Sequence, residues 1–592
     1  MSALPRTLPA VVAALQAGRA EEASEGLAAI LEREPANGGA WTLAGFLRLQ
    51  KGNPAEAVAL LDRALECQPG QWLAHLHRAS AREAIGNWIG AAADYASAAE
   101  LHPQPEFRVR QAALLGKLGA RAAEREALEA ALRLDPASVP ALNNLGLCHE
   151  NLGDEAAALA CFERAALAAV GKPENADVAE NLERLLFEKG KRLAASDPVA
   201  AARFYQAEIA RHPEYGGLQT GLGNFRLERG EIALAEEAFA AAVRLRPADA
   251  EARINHGIAF HRLGRLSEAL ACYAKAENLL GGPARATPEL RWNRSLSLLI
   301  DGRLEEGFRD YEARDHYEGY RRFPFPRWEG QPFPDGKLLI HTEQGFGDAI
   351  QFVRYAALAK QRGLGGSVHV ACDPTLRRLL ARAGGVDAVV GADEAIAGAY
   401  TWQVPMLSLP HVFGTSLETI PASIPYLDLP AAPSTGSGPF RIALVWAGNP
   451  KYRNDLRRSC PLALFDALGE LPGTEWSALQ PGAAEAGARE RSWLRDDSPQ
   501  LTDFYETALR LLQADLVISV DTAVVHLAGA LGRPVWVLLP FAPDWRWLRA
   551  RYDSPWYPTA RLFRQEREGD WTGVAARIAS ALRALLAERK AV

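Results

Sequence analysis

A repeat of 34 residues constrains this chain more than any other feature. Prolines fall at Pro35, Pro69, Pro103 and Pro136, and again at Pro213 and Pro247; the spacings are 34, 34 and 33, and 34 for the last pair. Each follows a segment rich in Ala and Leu. Small residues recur at matching places: Gly45, Ala57 and Ala64 before Pro69; Ala79, Ala91 and Ala98 before Pro103; then Gly146, Ala158 and Ala165. The pattern returns as Gly223, Ala235 and Ala242 before Pro247, and as Gly257, Ala269 and Ala276. Large residues stand among them: Trp41, Tyr95, Phe162, Phe239 and Tyr273. Small residues let two helices cross closely, a large one fills the gap, and proline stops the helix from continuing. The period therefore predicts helix–turn–helix units that bury their apolar faces only by stacking on one another.

This pattern resembles the tetratricopeptide (TPR) repeat. Residues 8–34 look like a degenerate first unit, 173–212 like one of altered length, and 289–316 like the last. The expected array spans residues 1–316 and coils into a superhelix whose concave face suits recognition of a protein partner. Asn143, Asn144, Asn224 and Asn255 fall on the first helices of their units, the side that usually faces such a groove.

The composition changes at Tyr317. The stretch 317–336 is aromatic and carries four prolines, so it cannot be a helix and is too apolar for a loose linker; it reads as a packed junction. From Lys337 strand-like and helix-like segments alternate: KLLIHTEQ, the glycine turn GFGD, a helix through AIQFVRYAALAKQRG, the strand SVHVACD, a helix in PTLRRLLARAG, then strands in VDAVV and TWQVPMLSLP. The segment 430–439 is rich in Pro, Gly and Ser and reads as a hinge. The alternation then restarts with FRIALVWAGN, LALFDALGEL and TEWSALQ. It continues as DLVISVDTAVVHLAGALGRPVWVLLP, a strand, tight turn, helix and strand. Alternating β and α elements imply parallel, doubly wound sheets. The expected fold is a TPR superhelix followed by two Rossmann-like domains, 337–430 and 440–570, with a cleft between them and a terminal helix over 571–592.

Four stretches that follow strands converge on such a cleft. In HTEQGFGDAIQF, Gly345 and Gly347 allow a tight turn, Gln344 is beside it, and Asp348 opens a helix, either as a cap or as a carboxylate able to take a proton. In WAGNPKYRNDLRRS, Lys451, Arg453, Arg457 and Arg458 with Asn449, Asn454 and Ser459 make a cationic loop that either holds a diphosphate or is a solvated basic loop, and Trp446, like Gln344, Asp544 and Trp545, is a possible substrate contact. In VDTAVVH, Thr522 is a candidate N-cap, and Asp521, Thr522, Ala523 and His526 surround a helix N-terminus, which either attracts phosphate or belongs to one more strand–helix–strand unit whose His caps or packs. In FAPDWRWL, Asp544, Trp545, Arg546 and Trp547 either stack on a base or sugar or cover the sheet edge.

Together EQGFGDAIQFVRY, WAGNPKYRNDLRRS, VISVDTAVVHLAGALGRPVWVLLP, DWRW and SPWYPTARLFRQ resemble glycosyltransferases of the GT-B fold, of the heptosyltransferase-like, family 9-like type. The arrangement looks most like that of bacterial proteins in which a TPR array precedes such a domain. The resemblance implies Asp348 as general base on the acceptor side (337–430). It implies nucleotide-sugar phosphates held by Arg457 or Arg458 and by Asp521, Thr522 and His526 on the donor side (440–570). Where that family has Gly, this chain has Ala523. The implied activity is transfer of a sugar to a hydroxyl of a protein acceptor recruited by the array, flagellin being a candidate. The alternative is a TPR adaptor whose transferase-like module binds a ligand without catalysis.

Bulk properties narrow the partners. A net charge of −6 gives no nucleic-acid or anionic-membrane surface. Six scattered cysteines (67, 148, 161, 272, 372 and 460) suggest a reduced, cytoplasmic location and no zinc site. No basic stretch followed by an apolar core opens the chain, and no apolar run reaches the roughly 18 residues of a membrane span. No Asp-x-Asp occurs, so no metal is expected on the donor.

Overall fold

The computed structural model describes residues 6–171, 175–316, 323–430, 438–448, 455–483 and 487–591. The chain forms two compact units, Met1–Phe225 and Arg226–Val592.

The first unit is helical. Its pairs include Gly38–Gln50 with Pro54–Cys67, Trp72–Ala84 with Trp88–Leu101, Pro105–Lys117 with Arg121–Leu134, and Val139–Asn151 with Glu155–Ala169. The repeated small residues sit where the helices cross: Ala57, Ala64, Ala91, Ala98, Ala158 and Ala165 have no exposed surface. A Cβ on Gly146 would lie 2.6 Å from the Phe162 ring, so the small and the large residue of one unit are complementary. Helix starts are capped locally; Asn87 accepts from the Gly90 N–H and Asp154 from the Ala157 N–H, both at 3.0 Å. Such caps contribute about 0.5–2 kcal/mol each. The turn inside each unit carries a glycine at positive φ, Gly52, Gly86, Gly119 and Gly153, a conformation that disfavours a side chain. This second 34-residue series was present in the sequence beside the prolines. Of the groove asparagines, Asn143 accepts from Asn181 at 3.0 Å.

The second unit begins with further repeat helices: Ile232–Leu245, Ala250–Arg262, Leu266–Leu279, Pro288–Ile300 and Leu304–Tyr311. Asn255 here is buried and therefore not offered to a peptide, because its helix turns that face into the stack. Of the expected junction, 317–322 lies outside the described residues. Beyond it Trp328 is fully buried, edge-on to Phe333 and Phe413 at 5.8 Å each.

Two all-parallel sheets follow. The first has β1 (Lys337–His341), β2 (Ser367–Ala371), β3 (Ala388–Val390) and β4 (Trp402–Pro405) in the order β3-β2-β1-β4. The second has β5 (Phe440–Val445), β6 (Thr474–Ala478), β7 (Leu494–Asp496), β8 (Leu516–Val520), β9 (Val535–Leu539) and β10 (Ala560–Arg564) in the order β10-β9-β8-β5-β6-β7. Counted from its own first strand, the second sheet runs 3-2-1-4-5-6, the doubly wound order that opens a crevice where the direction of winding reverses, between β5 and β8. Both faces of that sheet are buried, as parallel strands require. Ile442, Leu444, Ile518 and Leu538 pack with Val574, Ile578 and Leu582 of the terminal helix Trp571–Ala591. Ala443, Val445, Val517 and Val537 face a core shared with the first sheet and with Leu299, Phe308 and Tyr311 of the last repeat.

Two helices differ from expectation. The segment after GFGD is not one helix but two, Phe346–Phe352 and Tyr355–Arg362. The break turns Arg354 inward. Its guanidinium donates to the carbonyls of Gln351 (2.8 Å), Pro421 (3.2 Å) and Trp556 (2.8 Å), and a backbone carbonyl bonded by a side chain is withdrawn from the helix ladder. PTLRRLLARAG gives a single α-turn, Arg377–Leu380, after a 3₁₀ turn at Pro374–Leu376.

Gly146→Ala is expected to lower stability by about 1–3 kcal/mol through overpacking against Phe162. Gly70→Ala, where a Cβ meets nothing within 4 Å, is the control and should change the urea midpoint little.

Candidate functional site

The site is built where three loops at strand C-terminal ends meet: Thr342–Asp348 after β1, Asp521–Thr522 after β8 and Phe541–Trp547 after β9. The first is braced by the last repeat. Tyr311 donates to Gln344 Oε1 at 3.0 Å, and Gln344 has φ 59°, a strained conformation for a side-chain-bearing residue. One residue earlier, Glu343 Oε1 accepts from Arg314 Nη2 at 2.7 Å and from the Leu407 N–H at 3.2 Å. Arg314 in turn binds Glu312 Oε1 at 2.8 Å and Ser408 Oγ at 2.6 Å. These buried, charge-assisted bonds fix the entry into the GFGD turn.

Gly345 occupies the N-cap of the Phe346–Phe352 helix, and its N–H donates to Asp348 Oδ2 at 2.8 Å. The other oxygen, Oδ1, accepts from Arg546 Nη2. Asp348 is thus both a cap and a charged group in the interior, with its side chain 17% exposed. Burial pushes its pKa up, and the Arg546 charge and the Gly345 N–H oppose the rise.

The helices that follow β1 and β8 touch here. A Cβ on Gly347 would lie 2.8 Å from His526 Cδ2 and 3.5 Å from Ala523 Cα, so glycine at 347 is what lets the two helix starts meet. His526 is 5% exposed, lies parallel to the Trp547 ring at 5.7 Å, and pairs through Nδ1 with the Tyr557 hydroxyl at 3.0 Å. Burial, then Arg546 and Arg354, push its pKa well below the ordinary value, so the imidazole is neutral at pH 7.

Thr522 stands at the N-cap of the Ala523–Ala530 helix but does not cap it. Its Oγ1 pairs with Ser519 Oγ at 3.2 Å, a nearby hydroxyl competing for the side chain. The expected cap is therefore corrected: the Thr522 side chain makes no capping hydrogen bond to this helix. Asp521 has its pKa pushed up to about 7, by burial first and by the neighbouring Asp544, against Arg546 and Arg458. Trp547 Nε1 lies near enough to Asp521 to lower that pKa but lacks the geometry of a hydrogen bond.

Of the basic loop, Asn449, Lys451, Arg453 and Asn454 lie outside the described residues. Its end folds back on β5. Ser459 Oγ accepts from the Gly448 N–H at 3.0 Å and donates to Asp455 Oδ2 at 3.1 Å, while Trp446 accepts from the Cys460 N–H. Arg458 donates to the Asp521 carbonyl at 3.0 Å and to Asp455 Oδ1 at 3.1 Å, so it bridges the two strand ends that flank the crevice. Arg457 instead points to Glu568, at 3.6 Å. Trp446 and Trp545, offered as substrate contacts, are both 4% exposed. Trp545 is enclosed by Phe308 (5.5 Å), Tyr311 (6.2 Å), Trp556 (6.2 Å) and Arg546 (4.2 Å), so its faces are used for packing. Asp544 caps the turn after it and accepts from Arg546 Nη1 at 2.8 Å.

Sequence reasoning put Arg546 at the cleft only as part of a stacking surface, and did not assign Gln351 or Tyr557 to the site. Arg546 was visible as a charge inside DWRW, but its partners Gln351 and Asp348 lie 195 and 198 residues away. A hollow of about 520 Å³ lined by Ala381–Gly384 and Pro425–Leu429 contains none of these residues. Among the described residues no three His, Cys, Asp or Glu side chains are grouped to hold a metal ion, and no helix is long and apolar enough to cross a membrane.

Raising the pKa of Asp521 makes the fold bind its proton more tightly than the unfolded chain. The stability of the wild type relative to Asp521→Asn should therefore fall as pH rises from about 4 to about 7 and level off above that, in urea unfolding across the range.

Residues 14–82 match a family model described as tetratricopeptide repeat, and residues 109–176 and 220–283 match a second of the same description. Protein FlbA of Caulobacter vibrioides (strain ATCC 19089 / CIP 103742 / CB 15) is 28% identical over 503 residues, covering 79% of this chain and 82% of its own. The described repeats take up little more than half of this chain, so that similarity runs into the α/β part. Among solved structures, a tetratricopeptide repeat protein from Parabacteroides merdae ATCC 43184 is 19% identical, with 43% of this chain and 97% of its own covered and a TM-score of 0.27. MamA is 19% identical, with 27% and 93% covered and a TM-score of 0.25. The chain thus carries tetratricopeptide repeats over residues 14–82, 109–176 and 220–283, and its second part carries parallel α/β sheets.

Proposed function

We propose that this chain is a glycosyltransferase of the GT-B type that moves a sugar from a nucleotide-sugar to a hydroxyl of a protein acceptor, with the TPR array recruiting the acceptor. One observation carries the reading. Two motifs about 170 residues apart in sequence, GFGD and DTAVVH, meet across the two sheets, with Gly347 against His526 and Ala523. Asp348 takes the proton of the acceptor hydroxyl, whose oxygen bonds to the anomeric carbon as the bond from that carbon to the phosphate oxygen breaks. The departing nucleoside diphosphate gains its negative charge beside the uncapped N-terminus of the Ala523–Ala530 helix and beside Arg458. The doubly wound order supports the crevice between β5 and β8 as the nucleotide site. No metal is required by this scheme. Flagellin remains a candidate acceptor through the resemblance alone.

A second reading, a non-catalytic adaptor that binds a ligand at the same crevice, is favoured by a specific observation. Both oxygens of Asp348 already accept a hydrogen bond, from Gly345 and Arg546, which leaves one lone pair on each and makes the carboxylate a weaker base.

The test is intact-mass analysis of candidate acceptors incubated with the chain and a panel of nucleotide-sugars. A discrete added mass that identifies one sugar is expected. Asp348→Asn should lower transfer by 10²-fold or more, on the order expected of a general base, while donor affinity by calorimetry stays within a few-fold. Binding without any added mass in the wild type selects the adaptor. A chain shortened to residues 226–592 keeps the last repeats that pack on the sheets, and should still bind donor but lose modification of the protein acceptor. Equal modification by the shortened chain overturns recruitment by the array.

A further inference from the structure

Arg546 is 7% exposed and comes from the loop after β9, yet most of its work is done on the first sheet's helix. Its Nη2 binds Asp348 Oδ1, its Nε binds Gln351 Oε1 at 2.7 Å, and its Nη1 binds Asp544 Oδ1 at 2.8 Å. The rings of Trp545 and Phe352 lie 4.2 and 5.7 Å from the guanidinium carbon. A planar fork held at three nitrogens and packed between rings has one orientation. The carboxylate it meets is also held on its other side by the Gly345 N–H, so Asp348 has one rotamer as well.

A carboxyl group in such surroundings would take up a proton if left alone, and a protonated Asp348 cannot take the proton of a hydroxyl. The other ionisable groups around the pair do not stabilise its negative charge. Asp544 repels it, the Tyr311 phenol is held protonated by burial, and His526 is neutral. Arg354 is committed to carbonyl groups and Tyr426, and Arg314 to Glu312 and Glu343.

We infer that Arg546 is a positioning residue: reaching from the second sheet, it keeps Asp348 ionised and in a fixed rotamer, so that the base is set only while the two sheets are in contact. The role in transfer rests on the glycosyltransferase reading; the control of Asp348's charge does not.

The experiment has two arms. In the first, urea unfolding of the full chain is followed from pH 4 to 8 for the wild type and Asp348→Asn, and for both again in an Arg546→Lys background. The difference within each pair reports the titration of Asp348 in the fold. Lys keeps the charge but cannot reach three acceptors as a fork, so the midpoint should rise by about one pH unit or more. Equal midpoints in the two backgrounds overturn the inference. If Arg546→Lys does not fold, Gln351→Met removes one acceptor of the fork at similar volume, and a smaller upward shift is expected, with no shift overturning it.

In the second arm, kcat for transfer is measured against pH. The acid limb of Arg546→Lys should move up by the same amount while KM for the nucleotide-sugar stays within about twofold, and raising the pH should restore much of the loss. A loss by the same factor at every pH marks a merely structural role and overturns the inference. If the wild type transfers no sugar at all, the glycosyltransferase reading fails, and the unfolding arm still decides whether Arg546 governs Asp348.

Discussion

A buried guanidinium must have acceptors, and those of Arg546 come from both sheets. Asp348 and Gln351 belong to the first and Asp544 to the second. Removing either side would leave charge in a dry interior, at a cost of several kcal/mol for a broken buried pair. That requirement ties the loop after β9 to the helix after β1 and sets how far apart the two sheets can sit. The glycine at 347 answers the same constraint in steric terms, since any side chain there would meet His526.

The last repeat belongs to this arrangement and is not only a spacer. Phe308 and Tyr311 pack on Trp545, Tyr311 holds Gln344, and Arg314 holds Glu343. The turn that carries Asp348 is therefore shaped by a helical repeat before it and a sheet behind it. Any change that loosens the final repeat is transmitted directly to that turn, because the contacts are hydrogen bonds and rings rather than a flexible connection.

The acids of the site divide by environment. Burial and Asp544 push both acids up, but Asp348 has a guanidinium and an N–H bonded to its oxygens, whereas Asp521 rises to about 7 against Arg546 and Arg458. Two carboxyl groups with different partners can hold different protonation states at one pH, which is the electrostatic condition for assigning them different tasks.

The helical repeats were legible because their signal is local and repeated: a small residue, a large residue and a proline return every 34 positions, and each repetition is independent support. The parallel sheets were legible for a related reason, since strands such as Leu516–Val520 and Val535–Leu539 must be apolar on both faces. The candidate turns at Gly345–Asp348 and Asp521–His526 could be named from their positions after strands. What the sequence did not contain was the partner of each side chain. That Arg458 binds the Asp521 carbonyl while Arg457 turns to Glu568, and that Trp545 is walled in by Phe308 and Tyr311, was decided by tertiary packing. So was the bond from Arg546 to Asp348. Local periodicity determines which elements form, because it acts over one or two turns of chain; which charges meet depends on contacts across nearly 200 residues, and only the folded arrangement of the two sheets fixes those.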